Sequence, residues 1–224
     1  MNIKSLNKEM NKLSDKIIEN GDCSFKLWLE FEETSPWNDL ENDFANIIVD
    51  TLDGKLYGIN VWTFKYLTVA QSEEQKEGNS NYIIPPDLFV KILTRDCIEE
   101  TIKDLLSHGN LDEILNESSF GLNFLEPYWD ALEMEENSIQ SLINELKIEL
   151  PENHVLYNES YELIARKTNN DDIILELDNG RIAVVHLTWK SKTEVDGYPI
   201  TRIYENKIDF WNREMKQDII EFKE

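Results

Sequence analysis

The chain has 224 residues, of which 45 are Asp or Glu against 22 Lys or Arg, for a formal net charge of −23. Hydrophobic residues make up 41% of it, and its 8 glycines and 6 prolines are too few for a low-complexity chain, so the sequence suits a protein that buries a core. No apolar run approaches the roughly 20 residues needed to cross a bilayer, the opening lacks an export signal, and Cys23 and Cys97 have neither metal-ligand nor disulfide spacing; a cytoplasmic protein away from the membrane is expected.

In chain order, Ile3, Leu6, Met10, Leu13 and Ile17 recur at spacings of three and four, which predicts an amphipathic helix. From Phe25 the period becomes two: Phe25, Leu27, Leu29 and Phe31 share one face and Lys26, Trp28, Glu30 and Glu32 the other, a half-buried strand that leaves Trp28 outside. FANIIVDTLDGKLYGINVW predicts a hairpin with a tight type I′ turn at Asp53-Gly54. A helix is expected in KYLTVAQSEEQKEG. After Pro85-Pro86 another is expected in DLFVKIL, capped by Asp87, and a third in IEETIKDLL, capped by Asp96. Ile139, Leu142, Ile143, Leu146 and Leu150 form a further helical stripe. YELIARK, DDIILEL and RIAVVHLTW then predict a three-stranded antiparallel meander with a tight turn at Asn179-Gly180, and Ile208, Trp211, Met215, Ile219 and Phe222 a closing helix. The expected fold class is α+β, with two small domains, each a mainly antiparallel sheet with tight hairpins packed against helices. The expected boundaries are an N-terminal domain over 1–117, an acidic aromatic connector over 118–136, and a C-terminal helix-meander-helix domain over 137–224.

The charge is uneven. Residues 1–150 carry 30 acids and 12 bases, whereas Asp96–Glu145 alone carries 13 acids and a single base, Lys103. Such a block attracts basic surfaces and repels nucleic acid and anionic lipid, so no nucleic-acid or membrane partner is expected. It reads either as a solvated face or as a partner-binding one. Because Phe120, Phe124, Tyr128, Trp129 and Leu132 interleave the acids, the segment is foldable and suited to a basic protein. The expected partner-binding residues are Glu113, Glu117, Glu126, Tyr128, Trp129, Asp130, Glu133, Glu135 and Glu136, the acids steering and Trp129 or Tyr128 anchoring. Trp28 and Trp37 are expected to be exposed, and the other tryptophans mostly core.

Catalytic signatures are missing. There is no P-loop, dinucleotide glycine pattern, HExxH or nucleophile elbow, and five scattered E-x-K pairs reflect composition. His186 has no Ser, Cys or carboxylate tied to it by motif, and reads as a satisfied or surface histidine. Asp172, Glu176 and Asp178 share one side of a strand, which reads as a solvated face rather than a metal site. No cofactor, no metal and no enzymatic activity are expected.

DGKLYGINVWTFKYL followed by PPDLFVKILTRDCIEETIKDLL, and DDIILELDNGRIAVVHLTW followed by FWNREMKQD, resemble small uncharacterised bacterial α+β domains. Acidic proteins of this build are similar in style to immunity proteins of bacterial polymorphic toxin systems. The resemblance implies an acidic cytoplasmic binding protein that neutralises a cognate basic toxin or effector by occlusion. The alternatives are a small hydrolytic enzyme whose site, around His186, is assembled only in three dimensions, or a nonenzymatic adaptor.

Overall fold

The computed structural model describes residues 16–21, 23–33, 39–76, 78, 82–109 and 111–223. The helix expected over residues 3–18 lies outside these except for Lys16, Ile17 and Ile18, which are not helical: Ile17 is exposed and Ile18 is buried in an isolated antiparallel bridge with Phe25. Trp37 also lies outside them. The chain is α+β and divides into two compact units, Met1–Gly121 and Leu122–Glu224.

The first unit holds a sheet in the order β1(Lys26–Leu29), β2(Phe44–Asp50), β3(Lys55–Thr63), β4(Leu88–Val90), with β5(Phe120–Leu122) also pairing β3. β1 is not half-buried. Trp28 is only 6% exposed and its indole N–H donates to Glu33 Oε1 at 2.7 Å, because the short helix α1(Glu30–Glu33) folds back from the strand end. Alternation fixes which side chains share a face; it does not report that both faces are covered.

The β2–β3 hairpin forms, but with a longer turn than a two-residue type I′. Thr51 N–H donates to Lys55 O, and both Leu52 (φ +61°) and Gly54 (φ +103°) lie in the left-handed region. Asp50 accepts from Leu52 N, Asp53 accepts from Lys55 N, and the Thr51 hydroxyl donates to Asp53, so two carboxylates hold Leu52 where only glycine goes freely.

α2(Tyr66–Lys76) follows as expected. DLFVKIL is not a helix: its Leu88–Val90 is β4, parallel to β3. Pro85-Pro86 restricts the chain before it, and Asp87 docks on β3 rather than capping, through its own N–H to Asn60 O and its carboxylate to Asn60 N, Asn116 and Ser119. α3(Arg95–His108) is capped by Thr94, whose hydroxyl accepts from Cys97 N, not by Asp96. Its Ile98 and Ile102 are fully buried, as are Leu27, Ile47, Ile59 and Leu93 in the same unit.

The second unit is an antiparallel sheet in the order β10(Thr201–Tyr204), β9(Ile182–His186), β8(Asp172–Leu177), β7(Tyr161–Lys167), β6(Tyr128–Asp130). The expected meander is its centre. Residues 118–136 are not a bare connector: they contain β5, β6 and two 3-10 turns, and β6 is an edge strand of this sheet. Between β8 and β9 three residues separate Leu177 from Arg181, closed by Gly180 N to Leu177 O and Leu177 N to Arg181 O, with Gly180 at φ +80°; the left-handed glycine makes a bulge after the turn instead of sitting in a two-residue one.

One sheet face packs on helix α5(Glu136–Glu149), whose Leu142 and Leu146 join Leu163, Ile173, Leu175, Ala183 and Val185 in the core. The other face meets the C-terminal helix, in which α6(Lys207–Phe210) and α7(Lys216–Lys223) are joined by a π-turn, Trp211–Met215. Lys216 N–H bonds Trp211 O there, and the extra residue in the turn lets Phe210, Trp211, Met215 and Ile219 all be buried.

Candidate functional site

The expected binding residues are split between the units. Glu113, in the short helix α4(Leu111–Ile114), and Glu117, opening a 3-10 turn, are exposed residues of the first unit. The other seven lie in the second. Tyr128 is not available as an anchor: it is 3% exposed, its hydroxyl donates to Asp218, and its ring stands edge-on to Phe210 at 6.0 Å. Burial and the Asp218 carboxylate push its phenol far above the ordinary range. Asp130 has a structural task, accepting from Leu132 N at 2.8 Å to cap the turn Ala131–Glu133, and burial raises its carboxyl.

Trp129, the neighbour of Tyr128 on β6, alternates to the opposite face and is 40% exposed; Leu132 is 62% exposed. Glu126, Glu133, Glu135 and Glu136 are all exposed around this segment, and among the described residues none of them forms an ion pair. An exposed indole and leucine among unpaired carboxylates is an arrangement able to meet a cationic, partly apolar surface.

On the sheet face toward the C-terminal helix, charge is handled in the opposite way. Lys167, buried, lies 2.7 Å from Glu214 and 2.7 Å from Asp218, and 3.7 Å from Asp172. Arg202 pairs with Glu214 at 2.8 Å and with Asp172 at 2.9 Å, and the Tyr204 hydroxyl donates to Glu214. Burial alone would raise Glu214, but Arg202, Lys167 and Tyr204 outweigh it and hold the carboxyl down at about 2. Asp172 is likewise lowered against its burial by Arg202 and His186, so it is not part of a solvated face. Glu176 pairs with Lys207 at 2.7 Å, whereas Asp178 is exposed.

This network brings His186 a partner that no sequence motif supplied. Its Nδ1 lies 2.8 Å from Asp172 Oδ1, through the cross-strand pairing of the two residues, while its side chain is 45% exposed and Nε2 has no partner among the described residues. A carboxylate bonded to one ring nitrogen fixes the orientation of the ring and sets which way the other nitrogen points. A separate open cavity of ≈ 410 Å³, lined by Ile143, Lys147, Leu150, Tyr157, Glu159, Ser160 and Tyr161, does not include His186. Among the described residues no cluster of His, Cys, Asp or Glu is arranged to hold a metal ion, and no helix is long and apolar enough to cross a membrane.

Two further features were not expected. In the first unit a run of ring contacts joins Phe44, Tyr66, Trp62, Phe89 and Phe64, with Phe44 and Phe64 exposed. In the second, the loop after β9 is held by carboxylates. Glu149, fully buried, accepts from Thr188 N at 2.9 Å and Trp189 N at 2.6 Å; Glu145 accepts from Ser191 N at 2.9 Å. Glu194 accepts from the Thr188 hydroxyl and pairs with Lys190 at 2.9 Å, and both hold its carboxyl below the usual range. Trp189 (φ +56°) and Ser191 (φ +53°) sit in the left-handed region, at a cost of about 1–3 kcal/mol each. Trp189 is exposed rather than core.

In comparisons with protein-family models, curated proteins and solved structures, nothing matches this chain.

Proposed function

We propose that this chain is an acidic binding protein of the immunity or inhibitor type, which captures a basic toxin or effector and neutralises it by occlusion. The observation that carries the reading is the surface at 126–136: Trp129 and Leu132 exposed among Glu126, Glu133, Glu135 and Glu136, none of which forms an ion pair among the described residues, in a chain of net charge −23. Unanswered carboxylates steer a cationic partner and raise its association rate by about 10 to 10³-fold, an effect that fades as salt shortens the Debye length to about 8 Å at physiological strength. The apolar pair supplies contact area once the partner has arrived.

The test is capture from a lysate of the organism that encodes the chain, by the wild type and by the triple variant E133Q/E135Q/E136Q. One basic protein, toxic when expressed alone and retained poorly by the variant, is the expected result. Equal retention by both, or recovery of no basic protein, overturns the reading.

One observation favours a second reading, a small hydrolytic enzyme: the Asp172–His186 pair, with Nε2 free. It predicts turnover of simple ester or phosphodiester substrates that H186A abolishes. Unchanged background hydrolysis on comparing the wild type with H186A removes it.

A further inference from the structure

Trp189 occupies a position that the sheet does not demand. β9 ends at His186, and the chain leaves the sheet before reaching the indole. Trp189 is nonetheless fixed: it and Ser191 hold left-handed backbone conformations, and three carboxylates from the end of α5 and from the loop itself, Glu145, Glu149 and Glu194, accept the N–H and O–H groups of residues 188–191. A fully buried Glu149 and two strained residues keep in place a side chain that is 47% exposed to solvent. Strain and buried charge maintained around an exposed tryptophan fit an anchor that is ordered before its partner arrives, so that little conformational freedom is lost on binding.

The neighbourhood of the indole gives the chemistry. Trp189 Nε1–H donates to Asp171 Oδ1 at 3.0 Å, while Asp171 Oδ2 has no partner among the described residues. An exposed indole, the aromatic surface that attracts cations most strongly, is thereby held beside a carboxylate with a free oxygen. Lys190, the nearest base in sequence, is drawn to Glu194 instead. We infer that Trp189 and Asp171 form a preorganised seat for an arginine or lysine side chain of a basic protein partner. This rests on the proposed capture of such a partner and adds a contact point distinct from the 126–136 surface.

The test titrates the full chain with a nona-arginine peptide at 150 mM salt, following affinity by calorimetry and the indole N–H signals by NMR. The wild type is compared with W189A, W189F, D171N and E133Q/E135Q/E136Q. W189A and D171N are each expected to weaken binding by about fivefold or more, W189F less, and the Trp189 indole signal to shift on saturation. If the peptide binds wild type, W189A and D171N equally and only the triple variant weakens it, the seat is overturned while capture of a basic partner stands. If wild type fails to bind the peptide even at 50 mM salt, both are overturned. Should W189A lose its fold, judged by thermal melting, W189F and D171N decide.

Discussion

The second unit uses the same residue type in two opposed ways. On the sheet face under the C-terminal helix, Asp172, Glu214 and Asp218 are shared between Lys167 and Arg202, with tyrosine hydroxyls taking up remaining oxygens. At 126–136 the carboxylates of Glu126, Glu133, Glu135 and Glu136 stand in solvent and form no ion pair among the described residues. The first arrangement spends its charge internally and joins helix to sheet; the second leaves its charge to act at a distance. Total acidity therefore says little about function until each carboxylate is assigned to one arrangement or the other.

The largest effect that would break this contrast is expected at Lys167. Removing its ammonium strands carboxylates in a buried setting, so K167A should lose about 3–5 kcal/mol of stability in chemical denaturation. A loss below 1 kcal/mol would mean that the network is not holding the helix to the sheet.

Next comes pH. Glu214 falls from an ordinary 4.5 to about 2 in the folded state. A depressed carboxyl stabilises the fold above its unfolded value, and that contribution disappears as pH falls from 4.5 toward 2; the shift corresponds to about 3 kcal/mol. Melting temperature followed over this window should drop less steeply for E214Q than for the wild type. Parallel curves would show that Arg202 and Lys167 do not depress Glu214.

Glu149 lies between the two cases, buried yet bonded to backbone N–H groups instead of to cations. E149A is expected to cost about 2–3 kcal/mol, since hydrogen bonds to a charged acceptor are each worth about 1.5–3 kcal/mol, and to speed amide hydrogen exchange at Trp189 and Ser191 above that of the sheet. Uniform acceleration across the unit would instead mark a global loss of stability.

The smallest stability effect belongs to E133Q/E135Q/E136Q, within about 0.5 kcal/mol of the wild type because the groups are solvated and unpaired. A destabilisation above 1 kcal/mol would place these acids in the fold's own electrostatics and remove the contrast.

The sequence was informative where one element carried its own signal. The β2–β3 hairpin, the meander β7–β9 and the stripe of α5 follow from local periodicity and turn residues. It was uninformative where a second element decides the outcome. Trp28 alternates like an exposed residue and is buried because α1 turns back on it. Leu88–Val90 has a helix-compatible composition but pairs with β3 through Asp87 and Asn60. The ionic network combines residues from β7 to β10 with Glu214 and Asp218, brought into line by strand register and a π-turn, neither of which is readable from spacing. Within the candidate surface, alternation on β6 separates Tyr128 from Trp129, but only the sheet shows which of the two faces the C-terminal helix. Asn179-Gly180 marked its hairpin correctly, yet Trp189, which reads as the end of an apolar strand, leaves the sheet because Glu149 captures its N–H.

The most direct measurement of the central claim is the association rate of the captured basic partner with wild type and E133Q/E135Q/E136Q, each at 50 and 300 mM salt. The account predicts that the triple variant associates about tenfold more slowly at low salt, that the two rates converge at high salt, and that dissociation changes little. Equal association rates, insensitive to salt, would contradict it.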